Sequence, residues 1–152
     1  TGDGPLRIGA LLAGARAPEL AALEAFGAPL GEAFQVRDDL LGTFGDPRTT
    51  GKPIGSDLRS GRRNALVRTA ERLLSGDDRD AVTTVLGEAG ATQRDVERAI
   101  VVLDRTGVRA AVELHLRSLL DTALSCLEGV PLAEPGVSML RDLATALALR
   151  DH

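Results

Sequence analysis

The stretch Phe34-Gln35-Val36-Arg37-Asp38-Asp39-Leu40-Leu41-Gly42, with the residues that follow it through Asp57, holds the side chains best suited to chemistry. If the stretch is helical, Gln35, Asp38 and Asp39 share one surface, because residues three and four apart are about one turn apart. Two adjacent carboxylates repel each other, and Asp is a poor interior helix residue, so the pair costs stability unless a cation sits near it. The segment offers carboxylate and carbonyl oxygens but no His or Cys. That donor set suits a hard divalent ion, Mg²⁺ rather than Zn²⁺. Charge changes sign along the chain here. Residues 32–46 sum to −3, from Glu32, Asp38, Asp39, Asp46 and Arg37, whereas residues 48–68 sum to +5, from Arg48, Lys52, Arg59, Arg62, Arg63, Arg68 and Asp57. Carboxylates holding Mg²⁺ beside Lys and Arg would suit a diphosphate. From the residues alone, a solvated helix end whose charges pair across a loop remains an equal alternative.

Helical elements must position these groups. Leu6, Ile8, Leu11 and Leu12 predict a short helix from Pro5 to Ala13, with Pro where a helix start tolerates it. A second helix opens at Pro18 and runs to about Thr43, with Gly27, Pro29 and Gly31 predicting a kink or a close packing contact. Residues 44–59 lack periodicity and are rich in Gly and Pro, so they predict a loop long enough to carry a function, here a substrate and metal loop. Further helices are expected at 62–74 and at 78–88, the latter capped by Asp77. Thr92 and Asp95 resemble a capping box for a helix that stops at Gly107. Val108 to Leu127 carries an apolar stripe of Val112, Leu116, Leu119, Leu120, Ala123 and Leu127, ended by Gly129. Pro135 starts a last helix through Leu149. No repeat or linker divides the chain, which predicts a single domain over 1–152.

Composition sets the class. The 152 residues are rich in Leu and Ala, with three Phe and no Tyr or Trp, which favours an all-α fold and excludes an all-β one. A net charge of −4 leaves no global positive field for nucleic acid or an anionic membrane. No apolar run is long enough for a membrane span, and no secretory signal is visible, so a cytoplasmic location is expected. Cys126 cannot form an internal disulfide and reads as a small packed hydrophobe. Lys52 is the single Lys among 18 basic residues. The chain opens on Thr1 rather than Met and reads as though it begins inside a longer polypeptide.

Other candidates have plainer readings. His115 is expected to be a structural or surface imidazole, and His152 is terminal and mobile. Met139 is expected in the core, at helical spacing from Leu143. Asp77, Asp78 and Asp80 read as helix-start acids, without the offsets of a calcium loop. Gly51-Lys52 is followed by Pro53, which excludes a phosphate-binding Walker loop.

FQxxDD followed by GDPxxTGKPxGxDLRxGRR is similar to the second aspartate-rich region of the trans-isoprenyl diphosphate synthases, the polyprenyl synthetase family, and most resembles actinobacterial geranylgeranyl-type members. The resemblance covers the C-terminal half of that family's fold. It implies an all-α bundle in which two Asp-rich motifs face each other across a cavity. In that arrangement Asp38 is the principal Mg²⁺ ligand, Asp39 supports the metal's water shell and Gln35 orients it. Lys52 and Arg62 contact diphosphate oxygens, and Phe34 lines the pocket near the allylic chain. The implied reaction is condensation of isopentenyl diphosphate with an allylic diphosphate, with loss of diphosphate and a proton, in a cavity that excludes water.

Two departures stand out. The family motif reads DDxxD, and its last position here is Gly42. The first Asp-rich motif is absent, so the missing N-terminal half is an expected partner, a homodimer is possible, and the isolated 152 residues are expected to be inactive. Two other readings stay open: a class I terpene cyclase, whose downstream Asn/Ser/Glu triad is not seen, and a truncated, non-catalytic or regulatory subunit that binds a full synthase.

Overall fold

Leu, Ala and Arg favour helix, and helix is what the computed structural model contains across the residues it describes, 3–130 and 132–149. Nine helices and no strand occur among those residues, in keeping with the expected all-α class. None of them is long and apolar enough to cross a membrane. Thr1 and His152 lie outside the described residues.

The chain forms two compact units, one made of residues up to 35 and from 115 onward, the other of residues 36–114. The first contains α1 (Asp3–Leu12), most of α2 (Ala17–Phe44), the later part of α8 (Val108–Ser125) and α9 (Glu134–Leu149). In α2, which runs unbroken through Gly27, Pro29 and Gly31, Leu23, Phe26, Leu30 and Ala33 are buried at helical spacing. Leu116, Leu120, Ala123 and Leu127 are buried as the stripe predicts, while Leu119 and Cys126 are half-buried. On α9 the expectation for Met139 fails: it is 73% exposed, and Val137 and Ala144 are buried instead. Those two lie seven residues apart on one helix line, and Met139, two residues from Val137, falls on the far side.

The second unit holds the end of α2, two single-turn helices, α3 (Pro47–Thr50) and α4 (Ser56–Arg59), then α5 (Ala65–Leu73), α6 (Gly76–Thr83), α7 (Gln93–Arg105) and the start of α8. Helix α6 packs on α5 and α7. The capping box at Thr92 and Asp95 is present, and Gly107 follows α7 with φ +80. Three boundaries differ from the pattern. Helix α5 starts at Ala65 rather than 62, because Asn64 caps it by accepting from the Val67 N–H at 2.9 Å. Asp77 does not cap α6; Ser75 holds the cap position without a side-chain bond, and Asp77 sits in the first turn. Helix α6 ends at Thr83 rather than 88, where the Thr83 and Thr84 hydroxyls turn back to the Asp80 carbonyl, a local alternative to continuing the helix.

The 44–59 segment is more ordered than its lack of periodicity predicts. Asp46 caps α3 through the Arg48 N–H, and Gly51 closes that turn in the left-handed region. Gly55 begins α4 with φ +71, and a Cβ there would lie 2.3 Å from Val96 Cγ1 on α7. Only glycine meets both constraints. Leu58, fully buried, fixes the segment, and its carbonyl accepts from the Gly87 N–H at 2.9 Å.

Gly55→Ala is therefore expected to destabilise the chain by about 1–3 kcal/mol, the usual cost of overpacking. Gly14, at φ +78 with nothing within 4 Å of an added Cβ, supplies the control for backbone strain alone. Urea midpoints should fall further for Gly55→Ala than for Gly14→Ala; equal shifts would show that Val96 does not set the position.

Candidate functional site

The last turns of α2 present two kinds of surface. Val36, Leu40 and Thr43 are buried, Asp38 is exposed and Asp39 is half-buried between them. Asp39 Oδ2 accepts from the Ala65 N–H at 2.7 Å. Ala65 is the first residue of α5, so this carboxylate satisfies one of the free amides of a helix start and lies at the positive end of its dipole. Burial nevertheless pushes the Asp39 carboxyl above its ordinary value. The Ala65 bond and Arg68 oppose that shift, while the charges of Asp57 and Asp38 add to it. Three carboxylates thus share one region at the end of α2, and one backbone amide and Arg68 only partly offset them.

Asp57 arrives from the connector. Ser56 Oγ donates to the Gly42 carbonyl at 3.4 Å, and the Asp57 carboxyl lies directly over Gly42. A Cβ at position 42 would fall 2.3 Å from Asp57 Oδ2 and 2.6 Å from its Cγ. Asp57 is 8% exposed. Its backbone carbonyl accepts from Ser60 Oγ at 2.9 Å and the Arg62 N–H at 3.3 Å, but its carboxylate accepts no hydrogen bond among the described residues. In the sequence Asp57 stands within the quoted motif and as one acid in a basic run, with no role assigned to it. A glycine in a helix interior, where it costs about 1 kcal/mol against Ala, was the available signal that something packs on position 42.

The basic run sorts into two sets. Arg48 forms a two-pronged pair with Asp46 at 2.7 and 3.0 Å, which holds the Asp46 carboxyl below its ordinary value. Arg59 donates to the Ala91 carbonyl and, at 3.0 Å, to Gln93 Oε1. Arg63 pairs with Glu71 at 2.8 Å, and Arg68 donates to the Arg63 carbonyl at 2.8 Å. The exposed side chains of Lys52 and Arg62 have no such partner among the described residues.

The structure thus brings Asp38, Asp39, Lys52 and Arg62 into one unit, with Asp57 added. Phe34 and Gln35 precede them on α2, both exposed, Phe34 at 42%. His115 is exposed, with Nε2 3.4 Å from Glu32 Oε1. Among the described residues no three His, Cys, Asp or Glu side chains close on one point as a metal cage. The carboxylates of α2 form a one-sided set, all of oxygen. That suits an ion such as Mg²⁺, which keeps water and phosphate oxygens as ligands and takes one or two carboxylates from the protein.

Residues 3–103 match the family model for polyprenyl synthetase. The chain is 44% identical over 102 residues to geranylgeranyl diphosphate synthase of Mycobacterium tuberculosis, covering 66% of this chain and 29% of that protein. It is 34% identical over 140 residues to (2E,6E)-farnesyl diphosphate synthase of Mycobacterium bovis, covering 90% and 39%. Its fold is similar to that of geranylgeranyl pyrophosphate synthase from Corynebacterium glutamicum, solved with isoprenyl diphosphate and magnesium. The TM-score is 0.91 at 34% identity, over 99% of this chain and 43% of that one. The chain spans less than half the length of these relatives.

The state of Asp39 has a consequence for pH. A carboxyl raised above its ordinary value of 3.8 contributes stability that is complete at low pH and is lost as pH rises through its folded value. Asp39→Asn keeps an acceptor for the Ala65 N–H and removes the charge. In metal-free buffer at pH 7 its Tm should exceed the parent's, and the gap should close below the carboxyl range. A gap that is constant from pH 3 to 8 in calorimetric scans would show that ionisation is not its source.

Proposed function

The chain belongs to the polyprenyl synthetase family, and we propose that it works as the C-terminal part of a Mg²⁺-dependent prenyltransferase that condenses isopentenyl diphosphate with an allylic diphosphate. The observation that carries this reading is the sorting of the basic run. Four of its six cations are engaged by protein groups. Lys52 and Arg62, the two that the motif assigns to diphosphate oxygens, are left for a ligand. An exposed cation with no partner among the described residues, in the same unit as several carboxylates, suits an anion that arrives with a metal.

In this reading Asp38, exposed and unconstrained, holds the ion. Asp39, tethered to the start of α5, fixes the second carboxylate in place, and Gln35 orients the water around it. The ion, when bound, neutralises the diphosphate as it leaves. Lys52 and Arg62 bind the diphosphate oxygens, and Phe34 meets the allylic chain. In the condensation the allylic C–O bond breaks, and the double bond of isopentenyl diphosphate supplies the electron pair of the new C–C bond. One proton and one diphosphate depart. The remainder of the synthase supplies the opposing carboxylates and the rest of the apolar cavity; a homodimer and a cytoplasmic setting accompany this reading.

Kinetics of the synthase that contains this chain test the assignment. Asp38→Ala is expected to lower kcat by about 10²–10³, the scale of losing one preorganised charge contact, without changing helical content. Asp39→Ala should cost less. A parent-like kcat in Asp38→Ala, or a larger loss at Asp39, would overturn the assigned roles. Lys52→Ala should weaken diphosphate use by about 1.5–3 kcal/mol, as for a charged hydrogen bond. Lys52→Arg should also be impaired, because a planar fork does not replace a compact ammonium; full activity in the Arg variant would mean that the loop needs only positive charge.

A further inference from the structure

Residue 64 joins a carboxylate to a cation through the backbone. The Asn64 N–H donates to the Arg62 carbonyl at 2.8 Å, and the Arg62 N–H donates to the Asp57 carbonyl at 3.3 Å, so the chain is tied on both sides of Arg62. On the other side of residue 64, Ala65 offers the amide that Asp39 Oδ2 accepts at 2.7 Å. The conformation of Asn64 is set by its own side chain. Oδ1 accepts from the Val67 N–H at 2.9 Å, and the backbone is extended, at φ −81 and ψ −179, as an N-cap requires. Among the side chains of 61–65, only that of Asn64 bonds to backbone. Asn64 is buried. Its Nδ2 is buried too and has no partner among the described residues, so the cap is the one hydrogen bond that the carboxamide makes.

We infer that Asn64 is a positioning residue for the condensation: by capping α5 it fixes, in one conformation, the amide that holds Asp39 and the turn that presents Arg62. The inference rests on the site proposed above and adds to it a residue that lies just beyond the quoted motif. Asp caps a helix as well as Asn does, but it would set another charge beside Asp39; Asn caps without one. Carboxylate and cation then stand at a set separation before metal and diphosphate arrive. Such preorganisation matters because small displacements of groups that hold a substrate cost rate steeply.

The synthase that contains this chain tests the inference, with Asn64→Gly as the main variant. Gly is the cap replacement that costs least stability, so the fold is kept while the Val67 bond is lost. Calorimetric binding of inorganic diphosphate in the presence of Mg²⁺ should weaken about tenfold, and the Mg²⁺ concentration for half-maximal rate should rise about ten- to a hundredfold, the usual effect of removing a group that supports metal ligands. Asn64→Ser keeps a capping oxygen and should stay within about threefold of the parent in both. Added to Arg62→Ala, Asn64→Gly should weaken diphosphate binding no further; added to Asp39→Ala, it should raise the Mg²⁺ requirement no further. Parent-like diphosphate binding and Mg²⁺ requirement in Asn64→Gly, whatever its Tm, would overturn the inference and leave the proposed site standing. Full additivity in both pairs, or an Asn64→Ser as impaired as Asn64→Gly, would do the same. If Arg62→Ala and Asp39→Ala themselves leave both quantities at parent values, the proposed site falls, and this inference with it.

Discussion

Negative charge concentrated at the end of α2 is the constraint around which the second unit is built. Burial pushes the Asp39 carboxyl up, and the charges of Asp57 and Asp38 add to that shift. A folded chain accepts such a cluster only with compensation. Part of it is internal: the Ala65 N–H, offered by the first turn of α5, takes one Asp39 oxygen. That bond fixes the start of α5 on α2, so the same interaction that moderates the charge also sets the packing of the helix that follows the connector. Exposed Arg68 opposes the same shift.

The connector obeys the same logic. Its course is fixed by apolar and backbone contacts: Leu58 sunk among buried residues, Gly55 against Val96, and the Gly87 amide on the Leu58 carbonyl. Arg59 ties it to the turn before α7. None of these anchors uses Lys52 or Arg62. Rigid attachment by some residues leaves others uncommitted, and a segment held this way can present cations to a ligand without reorganising when the ligand arrives. The paired arginines, by contrast, are mostly exposed ion pairs, which contribute little to stability, and serve to keep the local charge balanced.

Membership of the polyprenyl synthetase family accounts for why these features occur together. The second unit carries carboxylates and uncommitted cations side by side in sequence, within the 3–103 span that the family model matches. The relatives are more than twice as long as this chain. Exposed apolar side chains on the first unit, Ile8, Leu11 and Leu12 on α1 and Met139 and Leu143 on α9, are of the kind that a larger assembly covers.

Helix, its periodicity and its local caps were determined by the sequence alone, because each depends on residues within a few positions of one another. The stripe on α8, the capping box at Thr92 and Asp95, and the stop at Gly107 are such cases. So was the family, since an ordered run of Asp, Gly, Lys and Arg at fixed spacing is a local pattern. Tertiary structure decided everything that depends on which surface meets which. The inward line of α9 runs through Val137 and Ala144 and not Met139, a choice that apolar residues on several sides of the helix leave open. Asn64 caps α5 and Asp77 caps nothing, because the chain path sets which side chain reaches a free amide. Most of all, Gly42 and Asp57 are fifteen residues apart in sequence and in contact in space. Read along the chain, one is a helix glycine and the other an acid among bases. Only the return of the connector over α2 sets the second against the first.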